Sequence, residues 1–254
     1  MKLEVLLSVM NLNKKNLKKM NITSKCIVIN QCNKNSFEKY KNFDIYSYNE
    51  IGVSNSRNHA LDHAKEDILL FCDDDVVYNK DYEELVLEEF ENNKKADAII
   101  FNFESPNRRK KKIKRRKRLH IYNSFRYATY DIAVRKESIK SIYFNTLFGP
   151  NAKYNNGSDT LFITDLYKNK LRVYSSPKKL GIAYNEKSTW FKGYNEKYFF
   201  NKGALYTAVS FKFRYILMLQ YLIRHKEVLQ KIKFIDAYKL MLKGSKDYIN
   251  YKEV

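Results

Sequence analysis

Four short, nearly unbroken apolar runs limit what this chain can become: LEVLLSVM at 3–10, KCIVIN at 25–30, DILLFC at 67–72 and DAIIFNF at 97–103. Each has the length of a strand, and each falls far short of the ~20 apolar residues that cross a bilayer. A strand with one wet face alternates apolar and polar residues, whereas a strand buried on both faces need not. The runs therefore predict a sheet covered on both sides. FDIYSY at 43–48 is a weaker fifth run. Between the strands, NSRNHALDHAKE (55–66) predicts a helix with Ser54 or Asn55 as N-cap and Ala60, Leu61 and Ala64 on one face. DYEELVLEEFENNKK (81–95) predicts an amphipathic helix with Leu85, Val86 and Phe90 inward, its acidic start and basic end matching the helix dipole. Strands alternating with helices give an α/β class with a mostly parallel, doubly wound sheet. Ligands of such sheets collect beyond the carboxyl ends of the strands.

The run at 67–72 stops in Asp73, Asp74 and Asp75. Three adjacent carboxylates repel one another unless a divalent cation or hydrogen bonds from hydroxyl groups offset the repulsion. Hard oxygen ligands suit Mg²⁺ or Mn²⁺, and such an ion can bridge a diphosphate. The competing reading is a solvated acidic turn before the next helix.

A chain of 254 residues with 44% hydrophobic content can bury a catalytic-sized core. Only 7 glycines and 3 prolines argue against a string of tight hairpins. The net charge of +20 suits a phosphate-bearing partner, whether nucleic acid, anionic membrane or nucleotide. Ten of the eleven residues at 108–118 are basic, which reads as a loop or an exposed edge. No aromatic residue interrupts that run as single-strand stacking requires, and no nucleic-acid module is recognisable. An anionic membrane surface fits it better than nucleic acid, with a merely solvated loop as the plain alternative. The tail at 210–244 mixes aromatic, aliphatic and basic residues, and its apolar centre, Tyr215–Ile223, is too short to span. It can lie at a membrane interface, pack on the catalytic domain or form a homodimer contact. Cys26, Cys32 and Cys72 form no CxxC pair, pointing to a reducing, cytoplasmic setting. His59 and His63 stand i, i+4 without the Glu of HExxH or an evident third ligand, so a helix face is the simpler reading.

The stretch GVSNSRNHALDHAKEDILLFCDDDV (52–76) resembles the donor segment of family-2 glycosyltransferases: an SRN helix start, a helix, then a strand closing in Asp-x-Asp. FGPNAKYNNGSDTLFITDLYKNKLRVY (148–174) resembles that family's Gly-Glu-Asp-Thr-x-Phe segment, with Ser158 where Glu is commoner. STWFKGYNEKYFF (188–200) looks like the acceptor-side tail of capsular and surface-polysaccharide transferases. The resemblance implies a GT-A fold over 1–205, with a donor half (1–104), a polybasic loop (105–118), an acceptor half (119–205) and a helical extension (206–254). It implies Mn²⁺ or Mg²⁺ at Asp75 and Asp73, a nucleotide-sugar donor, foremost a UDP-sugar, held by Asp73, Asp74 and Arg57, and Asp159 as general base of an inverting transfer. Asp159 read by position alone is equally a helix N-cap. The family's Asp after the second strand is missing here, where the stretches SVMNLN (8–13) and INQCNK (29–34) stand instead. Ser8, Asn30 and Gln31 are then the candidates for contacting the nucleotide, the last two through their amides. Tyr184 and Glu186 occupy the region where a further metal ligand sometimes precedes the acceptor tail. The expected acceptor is a saccharide or lipid-linked saccharide of bacterial surface polysaccharide synthesis, reached at the inner face of the cytoplasmic membrane. A basic nucleic-acid-binding protein and a non-catalytic GT-A-like binding protein are the alternatives.

Overall fold

The structure, a computed structural model, describes residues 1–106, 112–184, 191 and 193–252. In chain order the strands are β1 (Leu3–Met10), β2 (Lys25–Gln31), β3 (Ser36–Tyr40), β4 (Phe43–Tyr48), β5 (Ile68–Asp73), β6 (Val76–Tyr78), β7 (Ala98–Glu104), β8 (Lys117–Arg118), β9 (Ile132–Arg135) and β10 (Val173–Ala183). The helices are α1 (Lys14–Lys19), α2 (Val53–His63), α3 (Tyr82–Asn92), α4 (Ile121–Ser124), α5 (Ser158–Lys168), α6 (Glu196–Val209), α7 (Arg214–Arg224) and α8 (Phe234–Lys252). The chain divides into two compact units, one of residues 1–144 and 162–187, the other of residues 145–161 and 188–254.

The first unit holds the sheet, ordered β3-β4-β2-β1-β5-β9-β7-β10-β6, with β8 on β10. It is a mixed sheet whose longest ladders are parallel: β4-β2-β1-β5 run side by side in one direction. The apolar runs of the sequence form these strands, and they are dry on both faces as their composition requires. Val5 and Leu7 join one apolar layer with Val28, Leu70 and Phe90 of α3. Leu6 joins the opposite layer with Ile29, Phe71, Ala60 of α2 and Phe162 of α5. Phe71, Phe144 and Phe162 pack ring on ring there, with centroids 4.2 to 5.4 Å apart.

Both predicted helices form with shifted ends. The first begins at Val53 behind Gly52, whose φ of 140° favours glycine, and Gly52 makes no side-chain cap. Neither Ser54 nor Asn55 serves as the N-cap, because both already lie inside the helix. The second helix ends at Asn92, which leaves Lys94 and Lys95 beyond it and no basic residue in its last turn. Val86 and Phe90 are buried as expected, and so is Glu89, at 1% exposure. Arg116 grips that carboxylate through two hydrogen bonds of 2.6 and 3.0 Å. One residue of the basic run therefore balances a buried acid, while Lys117 and Arg118 pair with β10. Residues 108–111 of that run lie outside the described residues.

The second unit is helical. α6 and α8 cross so closely that a Cβ on Gly203 would lie 1.8 Å from the Met241 carbonyl oxygen, and one on Gly244 would lie 1.9 Å from that of Phe200. Phe199, Met218, Leu222, Val228, Ala237 and Met241 form its core. The segment 145–161 is tied to α8 by the Tyr154 hydroxyl, which donates to Asp247 at 2.6 Å, and by Lys153, 3.0 Å from the same carboxylate. Burial and that bonded carboxylate push the Tyr154 phenol far above its ordinary range.

Candidate functional site

The parallel ladder β4-β2-β1-β5 ends on one rim, and the first group of candidate residues gathers there. Ser8 of β1 registers against Asp73 of β5. Its hydroxyl donates to Ser56 of α2 at 2.5 Å, in a buried setting. Asn30, near the end of β2, is also buried. Its carbonyl oxygen accepts from the Leu12 N–H at 2.9 Å, and its amide donates to the Ser47 hydroxyl at 3.0 Å. These bonds fix the loop that follows β1, so the Asn30 amide is engaged with the scaffold. Its neighbour Gln31 accepts from the Gly52 N–H at 2.7 Å and thereby anchors the start of α2 to the same rim.

Arg57 projects from the second turn of α2 and is 5% exposed. Its guanidinium donates to Asp73 at 2.9 Å and lies 5.3 Å from the centre of the Phe144 ring. A nearly buried guanidinium is costly without a counter-charge, so this pair fixes the direction of both side chains. Asn58 follows directly. Its amide donates to the Phe144 carbonyl at 2.9 Å and its oxygen accepts the Phe144 N–H at 2.7 Å. The sequence motif SRN thus supplies Ser56 to Ser8, Arg57 to Asp73 and Asn58 to the backbone at 144. The sequence marks Arg57 as a candidate donor contact but shows none of these three pairings, since every partner lies well away along the chain.

Asp74 and Asp75 form the two-residue turn from β5 to β6. β6 pairs antiparallel with β10, and the Asp75 carbonyl accepts from the Tyr184 N–H at 3.1 Å. The turn is therefore held from both sides. Asp74 is exposed, and Asp73 and Asp75 are half-buried. Among the described residues no group of three or more His, Cys, Asp or Glu side chains converges as a metal-binding cluster. This set does not fit an all-protein cage. It fits a hard cation held by one or two carboxylates together with the phosphates of a ligand. Of the two residues before the acceptor tail, Tyr184 is 43% exposed, and Glu186 lies outside the described residues.

His59 and His63 face β4. The His63 ring stacks on Tyr46 with centroids 3.6 Å apart and bonds the Tyr48 hydroxyl at 2.8 Å. His59 stacks on Tyr48 at 4.0 Å. Burial lowers the His63 pKa.

In the second unit, α5 begins at Ser158, behind Gly157 with φ 99°. Asp159 therefore sits inside the first helical turn, where a carboxylate is favoured by the dipole, and not at the cap position. A cavity of about 120 Å³ lies in the same unit, lined by Asn155, Asn156, Phe191, Tyr198 and Asn201 among others. The side-chain oxygens of Asn156 and Asn201 are buried there without a hydrogen-bond partner among the described residues, and Asn201 is 3% exposed. Buried acceptors left unpaired in this way cost stability until a donor arrives. Neither asparagine stands out in the sequence, because asparagine is abundant throughout this chain.

Comparison with known proteins agrees with the fold. Residues 29–148 match the family model described as Glycosyl transferase family 2. No curated protein sequence matches the chain. Among solved structures, Staphylococcus aureus TarS, residues 1–349 in complex with UDP-GlcNAc, superposes with a TM-score of 0.69 at 16% identity, over 98% of this chain and 81% of that one. The mannosyltransferase PcManGT from Pyrobaculum calidifontis, in complex with GDP-Man and Mn²⁺, superposes with a TM-score of 0.55 at 10% identity, over 98% and 87% of the two chains. The matched segment contains the SRN helix, the three aspartates, β4, β5 and the end of β2. Residues 29–148 are thus similar to glycosyltransferase family 2, and the fold is α/β of the GT-A type.

Proposed function

We propose that this protein transfers a sugar from a nucleotide-sugar donor to a hydroxyl of a saccharide or lipid-linked saccharide. The observation that carries the reading is the Arg57–Asp73 pair at the carboxyl rim of the parallel strands, inside the segment that matches the family. The paired Asp73, its side chain 34% exposed, stands at the sheet edge where α/β ligands bind. There Asp73 is suited to accept from ribose hydroxyls, with Asp74 beside it. Asp75 and Asp73 are the residues that would hold Mn²⁺ or Mg²⁺, and the bound ion would stabilise the charge of a departing diphosphate. Ser8 and Asn30 shape the loops at the nucleotide end of that rim. A UDP-sugar is the first donor to test, in view of the TarS complex.

The reaction balances simply. The acceptor oxygen forms a bond to the anomeric carbon while the bond from that carbon to the β-phosphate oxygen breaks. The nucleoside diphosphate leaves with the electron pair, and the configuration at carbon inverts. Asp159 takes the acceptor's proton, help worth on the order of 10²–10⁴ in rate. The cavity beside Asn155 and Asn195 supports a polyhydroxylated acceptor, since the side-chain amides there suit hydroxyl groups and the Phe191 and Tyr198 rings suit the apolar face of a pyranose.

Sugar transfer and donor binding on purified variants test the proposal. Asp75→Ala is expected to abolish transfer and to remove the Mn²⁺ dependence of donor binding. Asp159→Asn is expected to keep donor binding and lose turnover. Transfer by Asp159→Asn at the parent rate would refute the base assignment. Retention of Mn²⁺-dependent binding by Asp75→Ala would refute the metal site.

A further inference from the structure

The helix α7 is apolar on the side it buries and on the side it does not. Met218 and Leu222 enter the core of the second unit. Ile216, Leu219 and Ile223 follow at helical spacing on the other side and are exposed, the two isoleucines by 63% and 59%. Phe211 and Phe213 precede this stripe, and Phe234 and Ile235 at the start of α8 are exposed too, Ile235 by 65%. Such a concentration of large apolar side chains is not needed for packing, and patches of this kind mark binding surfaces. The charges around it are one-sided. Residues 211–235 contain six basic side chains (Lys212, Arg214, Arg224, Lys226, Lys231 and Lys233) and one acidic, Glu227. Glu227 is itself bonded to His225 at 2.9 Å.

We propose that this surface seats the second unit on an anionic phospholipid leaflet, with Ile216, Leu219, Ile223, Phe211 and Phe213 among the acyl chains and the basic residues at the headgroups. The charge decides between this occupant and others. A second copy of the chain docked patch to patch would bring two basic rims together. Protein interfaces are also poor in lysine, whereas interfacial helices are rich in it. An anionic leaflet is complementary to both the apolar stripe and its rim. Among the described residues no helix is long and apolar enough to cross the membrane. The mode is therefore attachment to the surface, and it is independent of the proposed transfer activity.

The full chain would be floated with vesicles of phosphatidylcholine alone and of phosphatidylcholine with phosphatidylglycerol. Binding is expected to the anionic vesicles and to fall steeply with salt. Ile216→Ser with Ile223→Ser should weaken it at least tenfold with an unchanged circular dichroism spectrum, because neither side chain is in the core. Lys231→Gln and Lys233→Gln should each weaken binding to anionic vesicles about fivefold and leave the residual binding to neutral ones unchanged. The proposal is overturned if anionic vesicles fail to float the protein, or if the isoleucine pair leaves flotation intact. It is equally overturned if sedimentation equilibrium shows a dimer that the isoleucine substitutions dissociate.

Discussion

The sheet rim of the first unit and the cavity wall of the second treat buried polar groups differently. On the sheet rim of the first, Ser8 bonds Ser56, Asn30 bonds Leu12 and Ser47, Gln31 bonds Gly52, and Arg57 bonds Asp73. In the second, Asn156 and Asn201 bury oxygens that meet no donor among the described residues, and Lys202 sits amid the rings of Tyr198, Tyr206 and Tyr221 at 5.2 to 6.0 Å. A rim whose side chains restrain one another presents a ready-made set of directions to a ligand common to many enzymes. A wall with unsatisfied acceptors gives up stability. The contrast teaches that side chains which restrain one another hold fixed directions, whereas buried acceptors without a donor cost stability where they stand.

Substitutions can break that contrast in graded steps. The largest effect is expected from Gly203→Leu, because even a Cβ there meets the Met241 carbonyl at 1.8 Å. The α6–α8 crossing must open, at about 3–5 kcal/mol or with loss of the second unit's fold. Urea unfolding followed by circular dichroism measures it, and an unchanged midpoint would show that the crossing is not close-packed. Asn58→Ala should come next, at about 1–3 kcal/mol, since it orphans both the N–H and the carbonyl of Phe144. Thermal unfolding reads this, and Asn58→Asp should recover only the bond from the N–H.

Lys202→Met acts in the opposite direction. Burial lowers the Lys202 pKa from 10.5 to about 8. Between those values the unfolded chain binds the proton more tightly than the folded one, so this group's contribution to stability improves as pH rises through the window. Below it, the charged lysine costs the folded state. The variant should therefore be more stable than the parent at neutral pH, by about 1–3 kcal/mol with the tyrosine rings offsetting part of the gain. The difference should shrink as pH climbs from about 8 toward 10. A difference that stays constant across that range would mean Lys202 is not desolvated. The smallest effect, about 1 kcal/mol, is expected for Ser8→Ala, which removes one hydroxyl–hydroxyl bond. Combined with Arg57→Ala it should show coupling in a double-mutant cycle, because both side chains tie α2 to the rim.

Much of the first unit is legible in the sequence because burial writes itself into composition. The runs at 3–10, 25–30, 67–72 and 97–103 can only be interior strands, and Val86 and Phe90 declare their face by spacing. What the sequence does not show depends on distant partners. Nothing near Glu89 announces that Arg116 will reach it, and nothing near Asn58 announces Phe144. The start of α2 departs from the side-chain cap its sequence suggests because Gly52 leads into it and donates to Gln31. Asp73 and Arg57 stand out as candidates because a motif carries them together. Asn201 does not, because its meaning is an absence of partners that only three-dimensional burial defines. The second unit's helices are visible as a basic, aromatic tail, yet the glycine-mediated crossing of α6 and α8 has no local signature beyond two glycines about forty residues apart along the chain.

The connection from β5 to β6 is two residues long, Asp74 and Asp75, and the strands on either side pair with different neighbours. Such a junction has no slack. Inserting or deleting even one residue would rotate every following carboxylate out of alignment and unzip β6 from its partner. Length variation among relatives must therefore be taken up elsewhere, while the spacing along the chain from the last buried residue of one strand to the first of the next acts as a ruler. A survey of such chains that found gaps within this turn would show that the ruler is not read.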